Sequence, residues 1–242
     1  MSNDHLREAI HIELSRSDID DWIMNLLEIR EGSRIADIGC GTGRLLLRLI
    51  QKASNIAYAI GLDSSTESLR GFKKTMDQKG FANVHPVHSD LQSLNIFRDH
   101  MFDVILACFS LYYAIDPKDV VTQVHNKLLP TGQFIVCGPD YQNNRELIEF
   151  CESIFPAPQV RTIEIMKEIG VTVRTVFGNL QTEKFTNELH FPSPDKLIQY
   201  WRAYYLYDPD YEKAFVQGIR EFFKRNNEFI TTKRVIGFLA EK

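Results

Sequence analysis

The segment of this chain best suited to chemistry is a glycine turn with an acid just before it: Ile35-Ala36-Asp37-Ile38-Gly39-Cys40-Gly41-Thr42-Gly43. Glycines there let the backbone turn sharply and let a ligand approach where a Cβ would collide. A helix opening directly after such a turn aims its free N–H groups and the positive end of its dipole at that ligand. A dinucleotide fingerprint needs G-x-G-x-x-G, with its third glycine where Arg44 stands. Here the third glycine is Gly43, and that departure counts against a pyrophosphate-bearing cofactor. Two further acids end strand-like runs, Asp63 in Ile60-Gly61-Leu62-Asp63 and Asp90 in Ser89-Asp90-Leu91.

The elements that must position these residues are read from periodicity. Ile19, Trp22, Ile23 and Leu26 recur at helical spacing behind Ser17 and the acids Asp18, Asp20 and Asp21, which read as a cap and a charged first turn. Residues 34–38 form a short strand ending in the glycine turn, and 45–50 the helix after it. A second strand is expected over 56–62, then a helix over 65–79 with Leu69, Phe72 and Met76 on one face and Gly80 as its stop. Residues 84–87 make a third strand and 102–109 a strong fourth. Asp116-Pro117 opens a helix with Val120, Val124 and Leu128 inward, Asp as cap and Pro at the first helical position. A fifth strand over 133–137 precedes a helix carrying Leu147, Phe150 and Ile154. Beyond 156 come a helix over 161–169, a strand over 182–191, helices opened by Ser193-Pro194 and by Pro209, and a closing strand over 234–240. Strand and helix alternating five times argue for an α/β fold, a parallel sheet covered on both faces whose ligands bind outside the carboxyl ends of its strands.

Asp37-Ile38-Gly39-Cys40-Gly41-Thr42-Gly43-Arg44 after a short strand resembles the first motif of class I S-adenosylmethionine-dependent methyltransferases. The likeness continues through the two later acids, Phe102-Asp103-Val104-Ile105 and Leu128-Leu129-Pro130-Thr131-Gly132, and covers residues 30–140. At Thr131-Gly132-Gln133 many relatives have two glycines, a difference confined to a surface turn. The resemblance implies a Rossmann-like, doubly wound seven-stranded sheet, mostly parallel with an antiparallel last strand, carrying a helical cap insertion. It implies S-adenosylmethionine as cofactor, a molecule with a cationic sulfonium and amino group, a ribose diol and an adenine, and no phosphate. By resemblance Asp37, Gly39, Cys40, Gly41 and Gly43 line its methionine and ribose side, Asp63 holds the ribose, and Ser64 also lies at the cofactor. Asp90 with Leu91 holds the adenine, and Cys108 also lies at the cofactor. A carboxylate suits the ribose because its two oxygens can accept from both hydroxyls.

The methyl group would lie near the end of the fourth strand, so Cys108, Phe109, Ser110, Tyr112 and Tyr113 are expected around it. Cys-Phe-Ser-Leu stands where adenine N-methyltransferases carry D/N-P-P-Y/F. Neither Cys108 nor Cys137 has the adjacent proline, in the right order, of cytosine C5 enzymes, and both read as small buried thiols. Transfer to oxygen or nitrogen is an in-line displacement on an already activated carbon, so positioning supplies most of the rate. A general base is needed only if the acceptor must lose a proton, and Tyr113 and His190 are the candidates, with His11 a third. His11, Tyr112, Tyr113, Arg202 and Tyr205 are the candidate acceptor-binding residues. Tyr200, Trp201 and Tyr204 share a helical stripe and read as packing, while Arg202 and Tyr205 lie off it. Aromatic walls suit a flat or cationic acceptor. Asp116 alone does not make the carboxylate cluster of metal-dependent catechol-type relatives, so no metal is expected.

The chain has 242 residues with 28 Lys+Arg and 32 Asp+Glu, a net charge of −4. A slightly acidic chain without basic blocks is poorly suited to a phosphate backbone, so a small-molecule acceptor is expected and no nucleic acid. The longest apolar run, 104–109, is far short of the ~20 residues that span a bilayer, so no membrane partner is expected. The four cysteines form no C-x-x-C pair, and the start MSNDHLREAIHIELSRSD has no apolar core behind a basic region. Free thiols and a cytoplasmic location follow as expectations. The length divides into N-terminal helices forming part of a lid (1–30), a cofactor-binding core (31–156) and its continuation (157–191), a helical cap insertion (192–228) and the closing strand (229–242). The alternatives are an RNA or protein methyltransferase, a non-catalytic S-adenosylmethionine-binding module and, more remotely, a nicotinamide oxidoreductase. The oligomeric state is left open.

Overall fold

The computed structural model describes residues 3–53, 55–156 and 161–242. Its helices are α1 (Asn3–Leu14), α2 (Ile19–Asn25), α3 (Arg44–Lys52), α4 (Thr66–Lys79), α5 (Pro117–Lys127), α6 (Arg145–Glu152), α7 (Thr162–Phe177), α8 (Pro194–Arg202) and α9 (Glu212–Phe223). Its strands are β1 (Arg34–Ile38), β2 (Tyr58–Asp63), β3 (Val84–His88), β4 (Phe102–Cys108), β5 (Leu128–Pro139), β6 (Gln181–Phe191) and β7 (Phe229–Glu241). They form one seven-stranded sheet in the order β3-β2-β1-β4-β5-β7-β6. The pairs β1–β2, β1–β4, β2–β3 and β4–β5 are parallel. β7 runs against β5: the Thr131 N–H donates to the Lys242 carbonyl and the Asp140 N–H to the Arg234 carbonyl, so rising numbers meet falling ones. This is the Rossmann-like, mostly parallel sheet with an antiparallel last strand that the alternation and the resemblance predict.

Local chemistry explains where the elements begin and end. The Ser65 Oγ caps α4 by accepting the Ser68 N–H at 3.2 Å, and α4 stops at Gly80, whose φ is 73°. Asp116 caps α5 through the N–H groups of Lys118 and Asp119, and Ser193 caps α8 through that of Lys196. Several boundaries depart from expectation, among them β7, which starts at Phe229 rather than 234, and β2, which starts at Tyr58 rather than 56. β5 starts at Leu128, not at 133, because Leu128 pairs with Phe102 and Gln133 with Val104. The Pro130-Thr131-Gly132 signal therefore makes a bulge, with Thr131 at a φ of 66°, rather than a free turn. β4 stops at Cys108, since Phe109 takes a φ of 59° and cannot extend the strand. α7 continues past 169 because Val173 and Phe177 prolong its apolar stripe until Gly178, at a φ of 75°.

The chain forms two compact units. One comprises Ile19–Pro139, Thr162–Lys184 and Ile236–Lys242. Its core gathers Ala36, Ile38, Leu62, Ile105, Ala107, Phe134, Val136 and the helix residues Val120, Val124, Ile169 and Val173. The other comprises Met1–Asp18, Asp140–Arg161 and Phe185–Val235. Its core is aromatic, with Trp201 stacked on Phe215 at 3.9 Å between ring centroids and Tyr200 on Tyr204 at 5.6 Å. Among the described residues no helix is long and apolar enough to cross a membrane.

Candidate functional site

At the carboxyl end of β1 the chain turns from Asp37 through three glycines into α3. All three have positive φ, 77° at Gly39, 55° at Gly41 and 73° at Gly43, but they answer different needs. A Cβ on Gly39 would lie 2.2 Å from the Ser110 Cβ, and one on Gly43 would lie 2.3 Å from the Phe72 ring. Both close the turn against its own protein. A Cβ on Gly41 would meet nothing within 4 Å, so this is the glycine with open space before it. The Phe72 ring also explains Gly61 on β2, where a Cβ would come within 2.4 Å of it.

Asp63, ending β2, is half-buried and braces the turn. Its Oδ2 accepts the Gly41 N–H at 2.7 Å and its Oδ1 the Ser65 N–H at 2.8 Å, which leaves acceptor capacity on both oxygens. Asp37 is buried at 3 % exposure, and among the described residues no hydrogen bond reaches its carboxylate. Burial above all, then the charges of Asp63 and Asp20, push its carboxyl up to about 7, with Arg44 pulling the other way. Asp20 on α2, 1 % exposed, is paired with Arg44 and Arg48 of α3, the latter at 3.0 Å. The sequence marks Asp20 only as one acid of a charged first helical turn, whereas here it is a buried ion-pair partner. The visible signal that sequence reading passed over was the i, i+4 spacing of two arginines directly behind the glycine turn.

The other candidates of this unit are placed as follows. Ser64 is exposed, and its carbonyl accepts from His88 Nε2 at 3.0 Å. Asp90 is exposed and accepts the Gln92 N–H at 2.8 Å, while Leu91 comes within 3.5 Å of where a Gly39 Cβ would be. Gln92 ties the loop after β3 to the loop after β4, its Oε1 accepting the Asp116 N–H at 3.0 Å. The Ser110 Oγ donates to the Ile38 carbonyl at 2.6 Å, so this hydroxyl is spent on the turn itself. Tyr112 packs on Gly138, and its ring lies 4.6 Å from that of Tyr113, which is 73 % exposed. Cys108 stands beside Cys137 in the β4–β5 register, and the contact with that thiol and burial push its own thiol well up. Burial and the charges of Asp37 and Asp63 do the same to Cys40. Neither cysteine has the lowered pKa of a nucleophile.

The second unit holds the remaining candidates. The His11 Nδ1 lies 3.2 Å from the Ser15 Oγ. His190 sits between two carboxylates, Nδ1 at 2.8 Å from Glu228 and Nε2 at 3.0 Å from Glu188, with Arg16 at 3.4 Å. Arg202 pairs with Glu212 at 2.5 Å, and the same carboxylate accepts the Tyr207 hydroxyl at 2.6 Å. Tyr200, Trp201 and Tyr204 are buried, as their stripe predicts, and Tyr205 is 45 % exposed beside Tyr204. Asn144, which sequence reading did not single out, is buried and donates to the Tyr204 hydroxyl at 2.9 Å. Thus the ten residues expected at the cofactor, with Tyr112 and Tyr113, lie in the first unit, whereas His11, His190, Arg202 and Tyr205 lie in the second. Among the described residues no three His, Cys, Asp or Glu side chains gather so as to hold a metal ion.

Residues 29–192 match a family described as a methyltransferase domain. The chain is 31% identical over 178 residues to the demethylmenaquinone methyltransferase of Staphylococcus haemolyticus, covering 73% of this chain and 70% of that protein. It is 28% identical over 223 residues to the 27-O-demethylrifamycin SV methyltransferase of Amycolatopsis mediterranei, covering 88% and 73% respectively. Against other curated relatives it spans about half their length, 49% and 55% in two demethylmenaquinone methyltransferases. Its fold is similar to that of the YcgJ protein of Bacillus subtilis, with a TM-score of 0.63 at 18% identity, covering 92% of this chain and 97% of that one.

Proposed function

The chain belongs to the class I S-adenosylmethionine-dependent methyltransferases, and from that premise we propose that it transfers a methyl group from this cofactor to an oxygen or nitrogen of a small molecule by in-line displacement. The observation that carries the reading is the juxtaposition at the glycine turn. Asp37, a buried carboxylate to which no donor bonds among the described residues, shares the turn with a second carboxylate, Asp63, already anchored on Gly41, and Gly41 has open space before it. These features fit a ligand with a cationic head and a diol. When bound, the cofactor supplies a methyl carbon activated by a positively charged sulfur.

The chain's own residues divide the binding work. Asp37 takes the amino end, and the free acceptor capacity of Asp63 takes the ribose hydroxyls. Asp90 and Leu91 hold the adenine, while Gly39, Cys40, Gly41 and Gly43 line the methionine and ribose side, with Ser64 next to Asp63. Cys108, at the end of β4, lies at the methyl group as a small apolar neighbour rather than a nucleophile. Tyr112 and Tyr113 present an aromatic surface to the acceptor. Tyr113 is the base where the acceptor must lose a proton. The O-demethylated substrate in the name of the rifamycin-modifying relative supports oxygen as the acceptor atom, and the net charge of −4 supports a small molecule over a nucleic acid.

The test is a calorimetric titration with S-adenosylhomocysteine, followed by turnover on a panel of phenols, alcohols and amines with no macromolecule present. One-site binding and methylation of a panel member are expected. Absence of binding overturns the reading, and methylation of protein or RNA alone overturns its small-molecule part.

A further inference from the structure

Asp20 is a carboxylate that the binding scheme above leaves unused, although it is almost completely buried beside the glycine turn. Its Oδ2 receives both Arg44 and Arg48. Arg48 has a second acid, Asp21, at 3.4 Å. Arg44 is the first residue of α3, directly after Gly43, and its side chain keeps 36% of its exposure. Its positive charge is the one that acts on Asp37. Among the described residues Asp37 is thus a buried acid without a hydrogen-bond donor, and it feels the charge of an arginine held by a different acid.

We infer that Asp20 is a positioning residue of this site: by holding Arg44, it keeps a guanidinium off Asp37 and leaves that carboxylate to the cationic end of the cofactor. The inference rests on the binding role of Asp37 given above. The physical reason is competition for one acceptor. A guanidinium is a planar fork matched to a carboxylate, and such a pair is strong where water is excluded. A buried carboxylate flanked by two arginines holds both of them, because breaking one pair would leave charge uncompensated. Once Asp20 is neutral, Asp37, at the other end of the glycine turn from Arg44, is a buried acid to which no donor bonds among the described residues. Arg44 then closes on it and occupies the oxygens that the ligand's ammonium needs. Arg48 remains with Asp21.

The experiment titrates S-adenosylhomocysteine into the full chain and into Asp20→Asn, Arg44→Gln and the double variant, with folding followed by circular dichroism. The expected result is a loss of about 10- to 100-fold in affinity for Asp20→Asn, the size of a charge-assisted interaction. Arg44→Gln should stay within about threefold of the wild type, and the double variant should return to within about threefold of Arg44→Gln, a smaller change than one full tenfold step in binding. Rescue by removing the arginine is a readout that a merely structural acid would not produce. Wild-type affinity in a folded Asp20→Asn overturns the inference. So does a loss in Arg44→Gln as large as that in Asp20→Asn, which would make Arg44 itself a ligand-binding group. A double variant that folds without binding, or that does not fold, also overturns it. Failure of the wild-type chain to bind is a separate outcome and overturns the reading of Asp37 instead.

Discussion

With Asp37 taking the cofactor's amino end as proposed, cofactor binding is expected to be a proton-linked event. With a carboxyl pushed up to about 7 by burial, the free protein holds a proton on Asp37 below neutrality. Only the ionised form pairs with an ammonium, so binding must expel that proton. The sign follows: affinity rises as pH rises through about 7 and falls on the acid side. For one such group the apparent dissociation constant grows by about 25-fold between pH 7.5 and 5.5, a window in which the ligand's own amino group stays largely protonated. Near pH 7 about half a proton should be released per ligand bound, which calorimetry in buffers of different ionisation enthalpy measures directly. Asp37→Asn should abolish both the slope and the release.

The same displacement acts on stability with the opposite sense. The folded chain binds this proton more tightly than the unfolded chain, whose carboxyl sits at the ordinary 3.8. Between those two values stability therefore declines as pH rises. The interval to about 7 corresponds to an upper bound of about 4 kcal/mol at 1.36 kcal/mol per tenfold. Asp37→Asn, neutral at every pH, should melt higher than the wild type at pH 8 while losing the ligand. An affinity flat from pH 5.5 to 7.5, or a destabilised Asp37→Asn at pH 8, would refute the placement of an unpaired acid at this turn.

Two further substitutions separate binding from packing. Asp63→Ala removes the acceptor for the Gly41 and Ser65 N–H groups as well as the proposed ribose contact. It should weaken S-adenosylhomocysteine by about 1–3 kcal/mol in a titration, and unchanged affinity would remove Asp63 from the site. Gly61→Ala drives a Cβ to 2.4 Å from the Phe72 ring and 2.9 Å from the Cys40 Sγ. It should cost about 1–3 kcal/mol by overpacking in urea unfolding, and an unaltered midpoint would mean that Phe72 yields freely.

Much of the fold was legible because it rests on local chemistry. The 34–38 strand, the caps at Ser65, Asp116 and Ser193 and the stop at Gly80 use groups a few residues apart, and each falls where its residue type predicts. The glycine turn was legible for the same reason, as was the burial of Tyr200, Trp201 and Tyr204. The boundaries that differed were settled by partners distant in sequence. Leu128 became strand because Phe102 lies beside it.

By itself the sequence determined the order of strands and helices, the parallel character of the sheet and the acids at the ends of β1, β2 and β3, since periodicity and motif spacing are carried along the chain. Only the tertiary structure decided what each of those groups faces. It assigned Gly39 and Gly43 to packing on Ser110 and Phe72, and Gly41 to open space. Among the described residues it left Asp37 without a donor while giving Asp63 two N–H groups. It also turned Asp20 from a helix-start acid into the buried partner of Arg44 and Arg48. A local pattern can mark a buried stripe such as that of Tyr200, Trp201 and Tyr204, but which groups meet depends on atoms brought together from distant parts of the chain.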